Sequence, residues 1–232
     1  YLRTINNQLA AIFNYAVRYY DLKSNPCSKA GSIGKSKAEK VEFWTKQEFM
    51  DFIQFIDRDS EAYVMFMLLY WTGMRVGEVL ALNIEDIDFS KGVISVSKSY
   101  QRIKQRDVIT PPKTSKGKRK IKIPIFLTEC LKRFITEQKI EKDGIRIFKI
   151  TKYHLLKTMR KGIEESGVKT IRIHDLRHSH ASLLVELGFT PLEIAERLGH
   201  EKIETTLNTY SHLYPDKQDR LADRLEEEYY KK

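Results

Sequence analysis

The chain has 232 residues, with 41 Lys and Arg against 31 Asp and Glu, and 41% of its residues are hydrophobic. That length suits one large domain or two small ones, and a mean hydropathy of -0.46 is that of a chain folding in water. Its most apolar segment, "YVMFMLLYW" at 63 to 71, is too short to span a bilayer, so no membrane partner is expected.

The opening "YLRTINNQLAAIFNYAV" lacks the charged-then-apolar layout of a secretion signal, which points to the cytoplasm. It also lacks a starting Met, which suggests a piece of a longer protein. Residues 4 to 20 place Ile5, Leu9, Ile12, Phe13, Ala16 and Val17 at helical spacing. The Ser, Gly, Lys and Pro content of 23 to 40 reads as a linker, with a domain boundary near 24 to 40. Thr45 and Glu48 then form a capping box that opens a helix. Another helix covers 60 to 72 and stops at Gly73, and a short one begins near Arg75.

Three strands are expected at 93–99, 104–110 and 118–124. Helices follow at 127–140, 152–166, 174–187, 190–198 and 202–211, and a highly charged one at 217–230. The fold class is therefore mainly α with one small antiparallel β-sheet, an α+β arrangement. Cys27 and Cys130 are far apart and form no CxxC pair, so they read as ordinary thiols.

Between Lys98 and Lys122 stand ten Lys or Arg and a single acid, Asp107. Strand-like sequence frames the run, "GVISVSKSY" before it and "KIKIP" after it, so it reads as a basic hairpin rather than a tail. Lys98, Arg102, Lys104, Arg106, Lys116, Lys118, Arg119 and Lys120 are the candidate contacts to DNA phosphates, with an affinity that falls as salt rises.

The stretch "IRIHDLRHSHASLL" gathers titratable groups at a helix start. His174, Arg177, His178 and Ala181 share one face, while Leu176, Leu183, Leu184 and Leu187 define another that meets the core. His180 points to the apolar side and reads as structural. His174 and Arg177 are expected to point away from the core, near backbone N–H groups that favour an anion. An arginine fork there suits a phosphate. A plain surface cluster is the blander reading. A zinc site is a third, because "HDLRH" spaces two histidines as in HExxH. The guanidinium of Arg177 on that face, and Asp175 in place of Glu, argue against metal. Further on, Gly188, Thr190, Pro191 and Glu193 build a helix–turn–helix layout. Its reading face, "EKIETTLNTY", offers only Lys202 as a cation.

Together, "TGMRVGEVLAL", "HDLRH", "LGH" and "TTLNTY" occur in an order that resembles the tyrosine recombinase family, nearest to integrases of temperate phages and conjugative transposons. The resemblance covers about residues 41 to 214 and implies a catalytic domain there. It also implies that 1–30 is the last helix of a truncated core-binding domain, that 31–40 is a linker, and that 215–232 is a C-terminal helix exchanged between protomers. Arg75, His174, Arg177 and His200 are similar to the family's phosphate-binding and proton-handling set, and Tyr210 to its nucleophile, with Tyr214 as a competitor. Lys113 in "PPKTSKGKRKIKIP" resembles the family's hairpin lysine, with Lys116 and Lys118 close by.

The resemblance implies site-specific recombination of double-stranded DNA by a homotetramer, through a 3′-phosphotyrosine intermediate. It implies no cofactor and no metal. A phosphotyrosine conserves the energy of the cleaved bond, two arginines hold the charge that builds on the phosphate, and a lysine protonates the leaving 5′ oxygen. A type IB-like topoisomerase and a non-catalytic DNA-binding regulator are the alternative readings.

Overall fold

The computed structural model describes residues 2–31, 33, 42–112, 114–140, 144–213 and 217–231. The chain divides into two units, Tyr1–Val41 and Glu42–Lys232. In the first, helix α1 (Leu2–Tyr19) is followed by α2 (Pro26–Ala30). Asn25 joins them: its side chain caps α2 at the Cys27 amide and donates to Ala10 O at 3.0 Å and Asn14 Oδ1 at 2.7 Å. Of the linker expected at 31–40, only residues 31 and 33 lie among the described residues.

The second unit is arranged around α4 (Glu61–Thr72). Val64, Met65, Phe66, Leu68, Leu69 and Tyr70 are all buried, so this helix is apolar around its circumference and belongs at the centre. Ser60 caps its start, and Gly73 ends it in the left-handed region at φ 66°. Helix α3 (Lys46–Ile53) opens with the expected capping box of Thr45 and Glu48 and lays Phe49 flat on Tyr70, with ring centroids 3.8 Å apart. Helices α6 (Ile125–Glu137) and α7 (Lys152–Ser166) close the same core with Leu127, Leu131, Leu155 and Met159. Each such fully buried aliphatic side chain stabilises the fold by about 1.5–3 kcal/mol.

The single sheet expected from sequence is corrected to two. Strands β1 (Ile87–Asp88), β2 (Val93–Val96) and β5 (Arg119–Lys122) form an antiparallel three-stranded sheet, in which Ile94 pairs with Ile121 and both face the core. Strands β3 (Ser99–Ile103) and β4 (Arg106–Thr110) form a separate hairpin. The expected strand 93–99 is split because Ile94 and Val96 alternate into the core, whereas the residues beyond Lys98 bring no comparable buried partners. The strand expected from 104 begins at Arg106, since Lys104 (φ 46°) and Gln105 (φ 64°) form a tight turn with both residues left-handed. Arg146, which the sequence reading did not single out, anchors this hairpin. Its guanidinium lies 3.8 Å from the Tyr100 ring centroid and 3.4 Å from Asp107.

Helices α5 (Val76–Leu80), α8 (Asp175–Glu186), α9 (Pro191–Leu198) and α10 (Ile203–Tyr210) carry the remaining motifs. Ala181, Leu184, Val185, Ile194 and Leu198 form a second, smaller core into which Tyr210 is packed. The charged segment at the end is helix α11 (Lys217–Tyr230). The protein is thus mostly helical with small antiparallel sheets. No helix among the described residues is long and apolar enough to cross a membrane.

Candidate active site

The site begins at a glycine. Gly73 adopts φ 66°, and a Cβ there would stand 2.6 Å from Leu198 Cδ2 and 2.7 Å from His180 Cδ2. Only glycine lets the end of α4 approach α8 and α9 so closely. The closeness leaves two backbone carbonyls, Gly73 O and Leu198 O, facing Arg177, whose Nη1 and Nη2 donate to them at 2.8 and 2.7 Å. Arg177 is only 4% exposed, so the expectation that it points away from the core is corrected: the apparently polar face of α8 is buried by α4 and α9. Burial, then the nearby charge of Arg75, pushes Arg177 down to about 9, so it stays protonated at neutral pH. Among the described residues it has no carboxylate partner in hydrogen-bonding distance.

Arg75 stands at the start of α5, where it pairs with Glu78 at 2.7 Å. Glu78 is buried and also takes a two-pronged ion pair from Arg119 on β5, at 2.8 and 3.2 Å. Burial raises the carboxyl of Glu78, but the bonds from Arg119 and Arg75 outweigh it and hold it below its usual value. Two guanidiniums therefore share one carboxylate, and Arg177 close by is bonded to none. The surplus positive charge, held on rigid elements and partly out of water, is what an anion requires. Arg119 was expected to reach DNA. Its side chain is instead 6% exposed and committed to Glu78 and to Arg197 O at 2.9 Å, which makes it a support for Arg75. Glu78→Ala leaves that guanidinium buried and unpaired, and should cost about 3–5 kcal/mol in denaturant unfolding. A change below about 1 kcal/mol would contradict the buried pair.

His200 follows Gly199, which ends α9 at φ 71°. A Cβ at Gly199 would lie 2.8 Å from Lys116 O, so this glycine lets the turn after the hairpin pass directly over the helix end. His200 Nδ1 is 2.8 Å from Thr206 Oγ1 on α10. Arg75 and His200 line one cleft of about 500 Å³, together with Lys98, Pro112, Thr114 and Gly117. Lys113 falls between two lining residues but lies outside the described residues, as does Tyr214. Of the other hairpin cations, Lys98 is held by Asp86 at 2.8 Å, and Arg102 lies 3.8 Å from Asp107. Lys104, Arg106, Lys116, Lys118 and Lys120 are exposed.

Tyr210, at the end of α10, is 2% exposed. Its hydroxyl lies 2.6 Å from Nδ1 of His178 on α8. Burial pushes the phenol above its usual value, and the charge of Arg177 works in the opposite direction. His174 immediately precedes α8 without a side-chain capping bond, its ring centroid 5.4 Å from that of His178. Helical spacing places His178 on the face of His174 and Arg177, where the sequence offers it only the disfavoured zinc role. The signal was available in its i+4 relation to His174, yet its partner comes from thirty-two residues downstream. His180, read as structural, is 2% exposed and accepts from Arg197 Nε at 2.9 Å, so its own proton sits on Nδ1.

Burial first, and neighbouring cations second, push these imidazoles down: His178 to about 4, His180 to about 3 and His200 to about 4, from an ordinary 6.5. For His178 the leading neighbour is His174, for His180 it is Arg197, and for His200 it is Arg177. In the unfolded chain each takes a proton near pH 6.5, whereas the folded protein resists it down to about 3–4. The unfolded state therefore binds more protons as pH falls through that window, and stability is lost. The denaturant midpoint should drop from pH 7 to pH 5; a midpoint that holds or rises contradicts buried neutral histidines.

The description of the Phage integrase family matches residues 42–217. The ICEBs1 integrase of Bacillus subtilis is 36% identical over 97% of this chain and 66% of its own length. A XerC-like tyrosine recombinase of Caldanaerobacter subterraneus is 29% identical over 97% of this chain and 65% of its own. The chain thus spans just under two thirds of the length of these two relatives. Among solved structures, the Tn1549 transposon integrase in complex with a circular intermediate DNA superposes with a TM-score of 0.77. It is 27% identical, and the match covers 96% of this chain and 79% of that one. With a family match over most of its length, and the arginines, histidines and tyrosine of its motifs meeting around α8, the chain belongs to the phage integrase, or tyrosine recombinase, family.

Proposed function

We propose that this protein is a site-specific DNA recombinase of a mobile genetic element, acting on double-stranded DNA in the cytoplasm. Arg75 and Arg119 sharing the one carboxylate of Glu78, with Arg177 bonded to no carboxylate and a buried phenol nearby, carry this reading. A phosphodiester entering the cleft meets Arg75 and the unused N–H groups of Arg177, which hold its non-bridging oxygens. His174 and His200 complete the contacts. Tyr210 attacks the phosphorus and remains joined to the 3′ side, while Lys113 protonates the departing 5′ oxygen. The exposed cations Lys104, Arg106, Lys116, Lys118 and Lys120 track the flanking backbone. The charge that a dication would bring is supplied by the arginines.

A duplex selected by binding from a randomised library, then nicked beside the cleavage point, tests this. Loss of the short fragment past the nick should trap a protein–DNA adduct that survives denaturation. A chain that binds the duplex tightly and never forms the adduct is a DNA-binding regulator, and the proposal falls.

Assembly of four protomers through α11 is part of the same proposal. Leu225 is 65% and Tyr229 82% exposed, on a helix otherwise dominated by charge, which leaves apolar side chains for a neighbour to cover. Deleting 217–232 should abolish the higher-order complex in gel shifts while leaving adduct formation on a single nicked duplex within a few-fold. Unchanged assembly would remove helix exchange from the proposal.

A further inference from the structure

The hydroxyl that the recombinase reading makes the nucleophile is 2.6 Å from an imidazole nitrogen that this reading leaves without a task. Because Tyr210 is 2% exposed, its hydroxyl proton must go to a protein acceptor. Among the described residues, the contact it makes is with Nδ1 of His178. Were Nδ1 to carry the hydrogen and donate it to the phenol, the phenol's own proton would be left buried without an acceptor. The neutral ring therefore holds its hydrogen on Nε2 and offers a lone pair at Nδ1.

We propose that His178 is a catalytic residue that accepts the proton of Tyr210 as the phenol oxygen attacks the scissile phosphate. The inference rests on the recombinase reading and deepens it. In cleavage, the Oη–H bond breaks and the proton passes to Nδ1 of His178. The freed electron pair makes the new O–P bond. The bond from phosphorus to the 5′ oxygen breaks, its electron pair leaves on that oxygen, and a proton from the acid assigned to Lys113 neutralises it. In rejoining, a 5′ hydroxyl attacks and passes its proton to the amine of Lys113 left neutral by cleavage, the Oη–P bond breaks, and His178 returns its proton to the phenolate. Protons and electrons balance over the cycle, with no other reactant than DNA.

A proton acceptor must start neutral. Burial, followed by the charges of His174 and Arg177, keeps His178 uncharged at pH 7. The groups facing it are His174, Asp175 and Arg177 from α8, Arg172 before it, His200 after α9, and Tyr210 from α10. Most of these are cationic or become so on protonation, and they disfavour a proton on the ring. A phosphate lodged between Arg75 and Arg177 brings negative charge into this surrounding and raises the basicity of Nδ1. Proton acceptance is thereby tied to the arrival of DNA, and the phenol stays protonated in its absence.

Two measurements test the assignment. In the intact protein at pH 7, nitrogen-15 shifts of the His178 ring should show Nδ1 bare and Nε2 protonated; the Nδ1–H tautomer overturns the proposal. In single-turnover cleavage of the selected nicked duplex, His178→Asn should be slower by about a hundredfold, with duplex affinity as the control for folding. The loss should persist when the leaving 5′ oxygen is replaced by sulfur, which departs without an acid. Wild-type speed in His178→Asn, or recovery on the sulfur duplex, overturns it. A wild-type protein that forms no adduct at Tyr210 on the same duplex overturns the recombinase reading instead.

Discussion

Arg177→Lys should slow adduct formation by about a hundredfold or more while the protein stays folded. The guanidinium spends two of its N–H groups on Gly73 O and Leu198 O and keeps the others in the same plane for a phosphate. An ammonium keeps the charge but cannot hold both carbonyls and a phosphate oxygen in that geometry. Losing one preorganised donor to the charge that develops in such a reaction costs about 3–4 kcal/mol, the energy of the predicted rate loss. Arg177→Ala should be worse in a second way. Each of the two carbonyls, sealed between α4, α8 and α9, loses its donor at about 1–3 kcal/mol. Single-turnover rates beside denaturant midpoints separate the effects: the Lys variant loses rate, and the Ala variant loses rate and stability together. A Lys variant within threefold of wild type would mean that Arg177 holds the fold and not the phosphate.

Tyr210→Phe should abolish the adduct and leave the fold intact. The ring fills its place among Ala181, Leu184, Ile194 and Leu198 whether or not it carries the hydroxyl. The lost bond to His178 costs about 0.5–1.5 kcal/mol, too little to unfold a domain of this size. Duplex binding should therefore survive while the covalent species falls to background, and peptide mapping of the wild-type adduct should place the nucleotide on residue 210. An adduct that persists in the Phe variant would transfer the role to another hydroxyl, with Tyr214 the first to examine.

Much of this was legible in the sequence because the relevant signals are local. Capping at Thr45, Ser60 and Thr190, the apolar run of α4, and the glycine stops at Gly73 and Gly199 set the helices, and the four motifs named the residues that converge. What misled the reading was nonlocal. Arg177 looked outward because helical spacing reports which residues share a face, not which element covers it; α4 and α9 cover this one. Arg119 looked like one more cation in a basic run because its partner Glu78 lies forty-one residues away on another element. The hairpin looked like part of one sheet because strand pairing depends on Ile121 meeting Ile94, and no local pattern announces that. His178 escaped for the same reason. Its meaning comes from Tyr210, which reaches it only once α8, α9 and α10 have packed.

The most direct trial is a structure of the wild-type protein on a cleaved duplex with vanadate in place of the scissile phosphate. Vanadium should bond to Oη of Tyr210 on one side and to the 5′ oxygen opposite it. The guanidiniums of Arg75 and Arg177 should hold its equatorial oxygens, and Nδ1 of His178 should lie within hydrogen-bonding distance of Oη. Vanadium bound away from both guanidiniums, or joined to a hydroxyl other than that of Tyr210, would contradict the assembly of this site around one phosphate.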